Sequence, residues 1–598
     1  MSSPDLRARV RALLCQPSAP LPLPRTARGE VAPLSPPAPT HRFLPLLPAH
    51  QRLALEGAAH FMTLANAQPG EAGLAAVLDE AERRVGEGAW VGYALRVFLA
   101  HHPEGRTLPV PALHERAPHL VLPSERAEPP RRGHPLAPGA EVWLDAFRED
   151  AGLGELLDTW SVLFPAEGAP DPTRPERRLE PERRGERFWY THQQLLARYD
   201  TERLAFGMPR VVPLGDYVSP LGEGYDARLP GFAPRPPGVS LRDVPGYALT
   251  EHATRRDRLC AAASSGLLWP GPTPLFIEEL ETLASTLESN PGSVDGEAWR
   301  EPLGLHGGLH RMGLLLLACL GPTHERTGLP GVLAEPATAA RDPLFYRWHR
   351  HVDDILDAWQ HTHLPPHDVS EGPPVLLRKW LTDGVYPAHQ SPDLLLCLHR
   401  DIPGADAPDF DGQRWGEDTF GGEHWTGPPP AFPASTQSLF TRLGRLAVRL
   451  PDGREVLKPR LEHEPFHYFL RMENRLPEPQ RVTVRLFLAA DAYAEDRRQW
   501  MELDRFPHTL APSARTVVHR PARLASVVRE GWPLNLLLPR GRREGMLFRF
   551  MVMLTRPELD DAELGYPFNR PFPPGTRIAD LVAQPNIATR NIWIHHGE

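Results

Sequence analysis

The chain has 598 residues, of which 41% are hydrophobic and 8% aromatic, so it can form about three or four domains with apolar cores. Its formal net charge of −9 argues against a broad basic surface of the kind that binds nucleic acid or an acidic membrane. No segment approaches the roughly 20 consecutive apolar residues of a membrane span.

The cysteines and the N-terminal residues bear on the cellular compartment. The four cysteines are scattered along the chain with no paired spacing, so we expect reduced thiols. The N-terminal segment MSSPDLRARVRALL is charged and amphipathic, and it lacks the apolar stretch and cleavage site of a signal peptide. Both features predict a cytoplasmic protein.

The predicted elements change from helices to strands along the chain. Residues 1–133 contain helical patterns such as QRLALEGAAHFMTLANA and WVGYALRVFLAHH, and residues 134–400 contain longer ones such as RFWYTHQQLLARYDTERLAF. From residue 401 to residue 598, short apolar or alternating segments such as RVTVRLFLAA lie between Gly, Pro and Asp residues. The sequence therefore predicts an α+β multidomain protein, in which two helical domains precede an antiparallel β-sandwich.

Several segments resemble one known family. DAFREDAGLGELLDTWSVLFP is similar to the first copper helix of arthropod hemocyanins and phenoloxidases, and PLFYRWHRHVDDI is similar to their second copper site. KPRLEHEPFHYFLRMEN resembles their C-terminal sandwich. The chain is thus identified as a member of the hemocyanin and prophenoloxidase superfamily of tyrosinase-like, type-3 copper proteins. This resemblance implies a helical N-terminal domain, a middle domain built on a four-helix copper-site core, and an immunoglobulin-like C-terminal sandwich.

The resemblance also implies where copper ligands are expected. A type-3 centre holds each of two coppers by three imidazoles, two of them from histidines four positions apart on one helix. Three of the six ligand positions carry histidine, namely His192, His310 and His349. The other three carry residues that cannot bind copper, namely Leu157, Ser161 and Leu314. The predicted site is therefore a degenerate one, without a dinuclear copper centre.

Two interpretations of the three remaining histidines stay open. They could be core residues that hydrogen-bond to one another, to Asp158 or to water, in which case no cofactor is expected. Alternatively, they could hold a single copper or zinc ion, since three imidazoles suit either metal. His306, His351 or Asp158 could then complete the site.

The predicted functions follow from the degenerate site. The first is a metal-poor scaffold, or a repurposed small-molecule-binding protein or enzyme that uses the former copper cavity. The alternative is a tyrosinase-like or phenoloxidase-like oxidoreductase with a mononuclear copper site. A small aromatic or phenolic ligand is the expected partner, with no nucleic acid and no membrane. The resemblance implies a homo-oligomer, either a dimer or a hexamer.

Overall fold

The computed structural model describes most of the chain and divides it into two compact units. The described residues are 3–16, 43–123, 139–179, 181–244, 247–270, 273–288, 306–321, 330–367, 372–377, 394–420, 436–559, 564–578, 581 and 584–597. The helical unit comprises Met1–Trp189, Val211–Trp359 and Arg445–Lys458, and the sheet unit comprises Tyr190–Arg210, Gln360–Gly444 and Pro459–Glu598. The predicted boundary at residue 133 lies outside the described residues, so the division into three domains stays a prediction.

Most of the helices lie in the first two thirds of the chain, as the apolar periodicity predicts. In chain order they are α1 (Ser3–Leu14), α2 (Pro48–Ala67), α3 (Glu71–Arg84), α4 (Ala89–His101), α5 (Leu113–Arg116), α6 (Asp145–Arg148), α7 (Ala151–Leu163), α8 (Arg184–Ala205), α9 (Leu249–Ser265), α10 (Leu280–Glu288), α11 (Leu309–Ala318), α12 (Pro336–Ala339), α13 (Pro343–His363), α14 (Gly412–Phe420) and α15 (Ser526–Arg529). Among the described residues, no helix has the length and apolar character needed to cross a membrane.

Local sequence signals account for several helix ends. Helix α2 begins with Pro48, whose fixed φ suits the first helical position. Helix α7 begins after Asp150, whose carboxylate accepts hydrogen bonds from the backbone N–H groups of Gly152 and Leu153. Helix α9 ends at Gly266, which adopts the left-handed conformation with φ of 71°. Helices α1 to α4 then bury their apolar faces in one shared core.

The strands concentrate in the C-terminal third. They are β1 (Ala169–Pro170), β2 (Arg178–Leu179), β3 (Leu267–Leu268), β4 (Leu275–Phe276), β5 (Val375–Leu377), β6 (Leu394–Leu398), β7 (Ser438–Arg449), β8 (Glu455–His463), β9 (Phe466–Asn474), β10 (Gln480–Ala490), β11 (Met501–Leu510), β12 (Arg515–Pro521), β13 (Met546–Thr555) and β14 (Ile587–His596). One sheet has the order β11-β10-β13-β14-β7-β8, and the other has the order β12-β9-β5, with β6 also paired to β9.

The two large sheets form a sandwich with a common apolar core. Alternate residues of β10, such as Val484 and Leu486, pack in one cluster with Tyr468 and Leu470 of β9. Strand β10 is antiparallel to β11 and β13, β13 is antiparallel to β14, and β9 is antiparallel to β12, β5 and β6, whereas β14 and β7 run parallel. The predicted α+β architecture is therefore confirmed. Strands β5 and β6 join the second sheet, although both precede residue 401.

Helices α11 and α13 approach each other closely at a glycine. A Cβ atom built on Gly313 would lie 2.1 Å from Cζ2 of Trp348, so only glycine leaves room for the indole. The indole Nε1 of Trp348 donates a hydrogen bond to the carbonyl oxygen of His310 at 3.1 Å. These two contacts hold the first turn of α11 against the middle of α13, where His349 lies.

Gly313→Ala is expected to lower the free energy of unfolding by about 1–3 kcal/mol, because the added methyl group overpacks the contact with Trp348. Urea unfolding followed by tryptophan fluorescence measures the change. Gly92→Ala is the matched control within helix α4, since its Cβ would meet only Leu14 Cδ2, at 3.9 Å. That variant is expected to be neutral or stabilising by up to about 1 kcal/mol. Equal effects of the two substitutions would contradict the close-packing argument.

Candidate metal centre

His310 and His349 face each other directly within the helical unit. Their Nε2 atoms lie 2.9 Å apart. Nδ1 of His349 lies 2.7 Å from the carbonyl oxygen of Phe345, one turn earlier on α13, and a carbonyl can only accept. The proton of neutral His349 therefore resides on Nδ1, so its Nε2 carries a lone pair toward His310. In the absence of a metal, His310 donates its Nε2 proton to that lone pair.

His192 joins this pair through helix α8. The first turn of α8 is anchored by Arg184, which is fully buried and donates to the carboxylate of Glu288 at 2.9 and 3.2 Å. Phe188 packs edge-on against His310, with ring centroids 4.6 Å apart. His192 follows Phe188 by four residues and so lies on the same helix face. One ring nitrogen from each of His192, His310 and His349 lies within 4.8 Å of the others.

The spacing of these nitrogens suits a single ion. Two imidazole nitrogens on one tetrahedral zinc, each bonded at about 2.0–2.1 Å, lie about 3.3 Å apart. The contact of 2.9 Å between His310 and His349, and the limit of 4.8 Å for the group, bracket that value. The residues are 7%, 9% and 2% exposed for His192, His310 and His349, so a bound ion would be largely shielded from water.

The residues at the other expected ligand positions do not fit a second copper. Leu157 on α7 and Leu314 on α11 are buried hydrocarbon side chains without a donor atom. The hydroxyl of Ser161 donates to the carbonyl oxygen of Asp158 at 2.7 Å. Within the described part of the chain, the three histidines are the one group of three or more His, Cys, Asp or Glu side chains close enough to hold a metal. Six imidazoles are therefore not assembled there.

Asp158 does not belong to the metal group, because two arginines engage it. The guanidinium groups of Arg96 and Arg116 both form ion pairs with its buried carboxylate. Burial by itself would raise the pKa of Asp158, but these two positive charges hold the pKa below its ordinary value. Asp158 therefore has a structural role, in which it ties α7 to α4 and α5. It is not part of the three-histidine group, although the sequence left that role open.

His351 and His306 also lie outside the group. His351 packs against the indole of Trp348, and its Nε2 lies 3.5 Å from the hydroxyl of Tyr217. Burial lowers the pKa of His351 to about 4, so the ring is neutral at pH 7. His306 is 4% exposed and does not contribute a nitrogen to the three-histidine group. Neither histidine completes the site in the way that the sequence left open.

Two phenylalanines at the site were missed by the sequence reasoning. Phe345 packs on His349 with ring centroids 4.0 Å apart, and Phe188 packs on His310. A signal was present, since both ligand helices carry the spacing F-x-x-x-H, in FWYTH and in FYRWH. A phenylalanine one turn before a histidine shares its helix face and is well placed to cover one side of the metal group.

Comparison with known proteins agrees with this fold. Residues 131–356 match the family model described as "Hemocyanin, copper containing domain". The AA6 chain of hemocyanin from Androctonus australis is 28% identical over 541 residues, which cover 80% of this chain and 77% of the relative. Hemocyanin II from Limulus polyphemus is 27% identical over 591 residues, which cover 83% of this chain and 84% of that protein.

Solved structures show the same fold over the whole chain. A scorpion hemocyanin superposes with a TM-score of 0.74 at 23% identity and full coverage of both chains. A hemolymph-type prophenoloxidase from a crustacean gives 0.71 at 20% identity, with coverage of 100% of this chain and 91% of that one. AsqI gives 0.69 at 21% identity, with 99% of each chain covered. The chain therefore shares the multidomain fold of these proteins, and its residues 131–356 are similar to the copper-containing domain of hemocyanins.

Asp158→Asn is expected to lower the free energy of unfolding by about 3–5 kcal/mol, because it leaves Arg96 and Arg116 buried without their counter-charge. Acid has the same effect. The folded pKa lies below the ordinary value of 3.8, so this stabilisation is present above that value and is lost as the pH falls through the folded pKa. Metal binding by the folded protein should not change.

The control for this prediction is Asp79→Asn. Asp79 also pairs with an arginine, Arg9, but its side chain is 65% exposed, so the loss should stay within about 0–1 kcal/mol. Chemical unfolding measures both variants, and metal analysis of the folded fraction separates stability from ligation. If Asp158→Asn released the metal from protein that remained folded, the purely structural role of Asp158 would be wrong.

Proposed function

We propose that this chain holds a single metal ion on His192, His310 and His349, and that this mononuclear centre stands in place of a dinuclear copper site. The observation that carries the proposal is the approach of three ring nitrogens to within 4.8 Å of one another. Leu157, Ser161 and Leu314 supply no further imidazole. Zinc is the metal that we favour, because three neutral nitrogen ligands with an open fourth position form a common catalytic zinc arrangement.

The residues around the three histidines are suited to hold such an ion. The carbonyl oxygen of Phe345 accepts from Nδ1 of His349, which fixes the ring orientation and leaves Nε2 available for a metal. His310 would carry its proton on Nδ1 when its Nε2 binds the ion. Phe188 and Phe345 lie against the two rings and restrict access of water. When bound, zinc would supply Lewis-acid chemistry at its open position.

A related structure supports zinc as the metal to test. A crystal structure of AsqI with Zn superposes on this chain with a TM-score of 0.68, at 20% identity and 99% coverage of both chains. We infer that this chain is a repurposed small-molecule-binding protein or enzyme. Because phenylalanine rings lie against His310 and His349, a small aromatic or phenolic molecule is the ligand we propose.

A single-copper phenol oxidase is the second candidate. The match of residues 131–356 to a copper-containing domain favours it, and imidazole is also a good ligand for copper. A metal-free scaffold is the remaining alternative. We also propose that the chain assembles as a homo-oligomer, a dimer or a hexamer, and works in the cytoplasm. Sedimentation velocity and fractionation of cells that express the protein test these two statements.

Metal analysis by plasma mass spectrometry, on protein purified without chelator and then dialysed, is expected to find one zinc ion per chain. His310→Ala and His349→Ala should each abolish retention of the ion, because two imidazoles remain. His351→Ala is the matched control on helix α13, since His351 is a buried histidine outside the metal group and should leave the ratio unchanged. Two coppers per chain after copper loading would overturn the proposal, and no metal under any loading would favour the scaffold.

Oxygen consumption with a catechol distinguishes the two metal-dependent candidates. We expect the apoprotein and the zinc-loaded protein to consume none, because zinc does not change its oxidation state. The copper-loaded protein is then measured beside its His349→Ala variant. Oxygen uptake that requires both copper and His349 would replace the zinc proposal by the single-copper oxidase.

A further inference from the structure

Four side chains of the sheet unit form a continuous row of hydrogen bonds apart from the metal group. Oδ1 of Asp406 lies 2.9 Å from Nε2 of His399. Nδ1 of His399 lies 2.8 Å from Nε2 of His467, and Nδ1 of His467 lies 2.7 Å from Nε2 of His519. Each of the two junctions between rings therefore joins an Nδ1 to an Nε2. We call these four residues the histidine row.

Strand pairing explains why the three rings line up. His467 lies on β9, between strands β6 and β12, which carry Cys397 and Pro521 opposite it in register. His399 follows the last residue of β6, and His519 lies on β12. His399 and His519 are each offset by two positions from the residue opposite His467, and side chains with that offset on one face of adjacent strands are within reach of one another. The ring centroids are 5.1 and 5.0 Å apart, with interplanar angles of 21° and 18°, so the rings lie edge to edge in nearly one plane, as the hydrogen bonds between their nitrogens require.

The hydrogen bonds determine the position of every proton in the neutral row. The ionised carboxylate of Asp406 can only accept, so His399 donates from Nε2 and presents a lone pair on Nδ1. His467 must then donate from Nε2 to His399, and His519 must donate from Nε2 to His467. All three rings are thus Nε2–H tautomers, and Nδ1 of His519 is left as an acceptor. Each junction between two rings holds one proton. An additional proton can therefore bind without breaking these hydrogen bonds only at Nδ1 of His519.

We propose that the histidine row is a proton relay, in which Nδ1 of His519 takes up one proton and the carboxylate of Asp406 releases one to solvent. The incoming proton bonds to Nδ1 of His519. The Nε2–H bond of His519 then breaks, and the Nε2 proton moves to Nδ1 of His467. The Nε2 proton of His467 moves to Nδ1 of His399, and the Nε2 proton of His399 moves to Asp406. Charge is conserved, all three rings end as neutral Nδ1–H tautomers, and no other reactant is needed.

The surroundings of the row match this direction of transfer. The side chain of Asp406 is 98% exposed and that of His399 is 30% exposed, so this end exchanges protons with water. His467 is 5% exposed and lies between the other two rings, so the middle of the row is shielded from solvent. At the far end, His519 is partly exposed, and Gly412 packs directly against its ring, since a Cβ atom on Gly412 would lie 2.1 Å from Nδ1.

Burial and nearby groups keep His467 and His519 neutral at pH 7. Burial, together with the two neighbouring rings and Arg523, lowers the pKa of His467 to about 3. Burial also lowers the pKa of His519 to about 4, where Asp411 opposes the shift and Arg520 adds to it. When the rings are neutral, each can adopt the Nε2–H tautomer, which is the state from which the proposed proton transfer starts.

The first test measures the tautomers of the three rings. The full-length protein is labelled with 15N-histidine, and long-range 1H–15N correlation spectra identify the nitrogen that carries the proton in each ring. The relay predicts the Nε2–H tautomer for His399, His467 and His519 at pH 7. Asp406→Ala removes the acceptor that orders the row, so the single-tautomer state should be lost at all three rings. The matched control is Asp409→Ala, which removes another exposed carboxylate of the same segment and should leave every tautomer as in the wild type.

Proton exchange of the His467 ring with solvent is the second measurement. The relay predicts that the His467 Nε2 proton exchanges more slowly in Asp406→Ala than in the wild type and in Asp409→Ala. Asp406 is exposed, so the variants should fold alike, which circular dichroism confirms. Unchanged tautomers in Asp406→Ala, an Nδ1–H tautomer for wild-type His519, or equal exchange rates would each overturn the relay. These readouts do not depend on a metal, so they stand apart from the proposed metal function.

Discussion

The close approach of helices α11 and α13 is the constraint on which the candidate site depends. Glycine at position 313 leaves space for the indole of Trp348, and that indole in turn binds the carbonyl oxygen of His310. Since His349 follows Trp348 directly, the same contact that joins the helices also brings the two imidazoles to 2.9 Å. Packing thus sets the ligand geometry, because close-packed interiors tolerate little adjustment in the distance between helices.

The candidate site brings together three imidazoles, whereas a type-3 copper pair uses six. A copper pair requires imidazoles on both sides of the bridging oxygen, whereas Leu157 and Leu314 present only hydrocarbon. The three remaining histidines are buried, and the carbonyl oxygen of Phe345 directs the lone pair of one of them. Such a group suits one dication with an open position, which is why we propose a single metal ion. Under that proposal, the shared fold would support a chemistry different from that of a copper pair.

The histidine row of the sheet unit shows a different use of the same side chain. At the candidate metal centre, imidazoles from separate helices converge on one point. In the row, strand pairing places the rings edge to edge in nearly one plane, so each ring is hydrogen-bonded to the next. The exposed carboxylate of Asp406 lies at one end of this row. Rings that converge on one point are suited to bind a cation, whereas rings joined in line by hydrogen bonds are suited to the proton transfer that we propose.

The sequence by itself determined the order of helices and strands and the identity of the three retained histidines. Helical periodicity and alternation are local properties. The three histidine positions follow from the resemblance of the surrounding segments to arthropod hemocyanins and phenoloxidases. Only the tertiary structure decided which side chains meet. No local sequence pattern links Asp158 to its ion-pair partners Arg96 and Arg116, which lie on other helices. His351 follows the candidate ligand His349 by two positions in the sequence, yet its ring contacts Tyr217. Residues two apart on a helix face different directions, and contacts between distant segments depend on packing that no local pattern encodes.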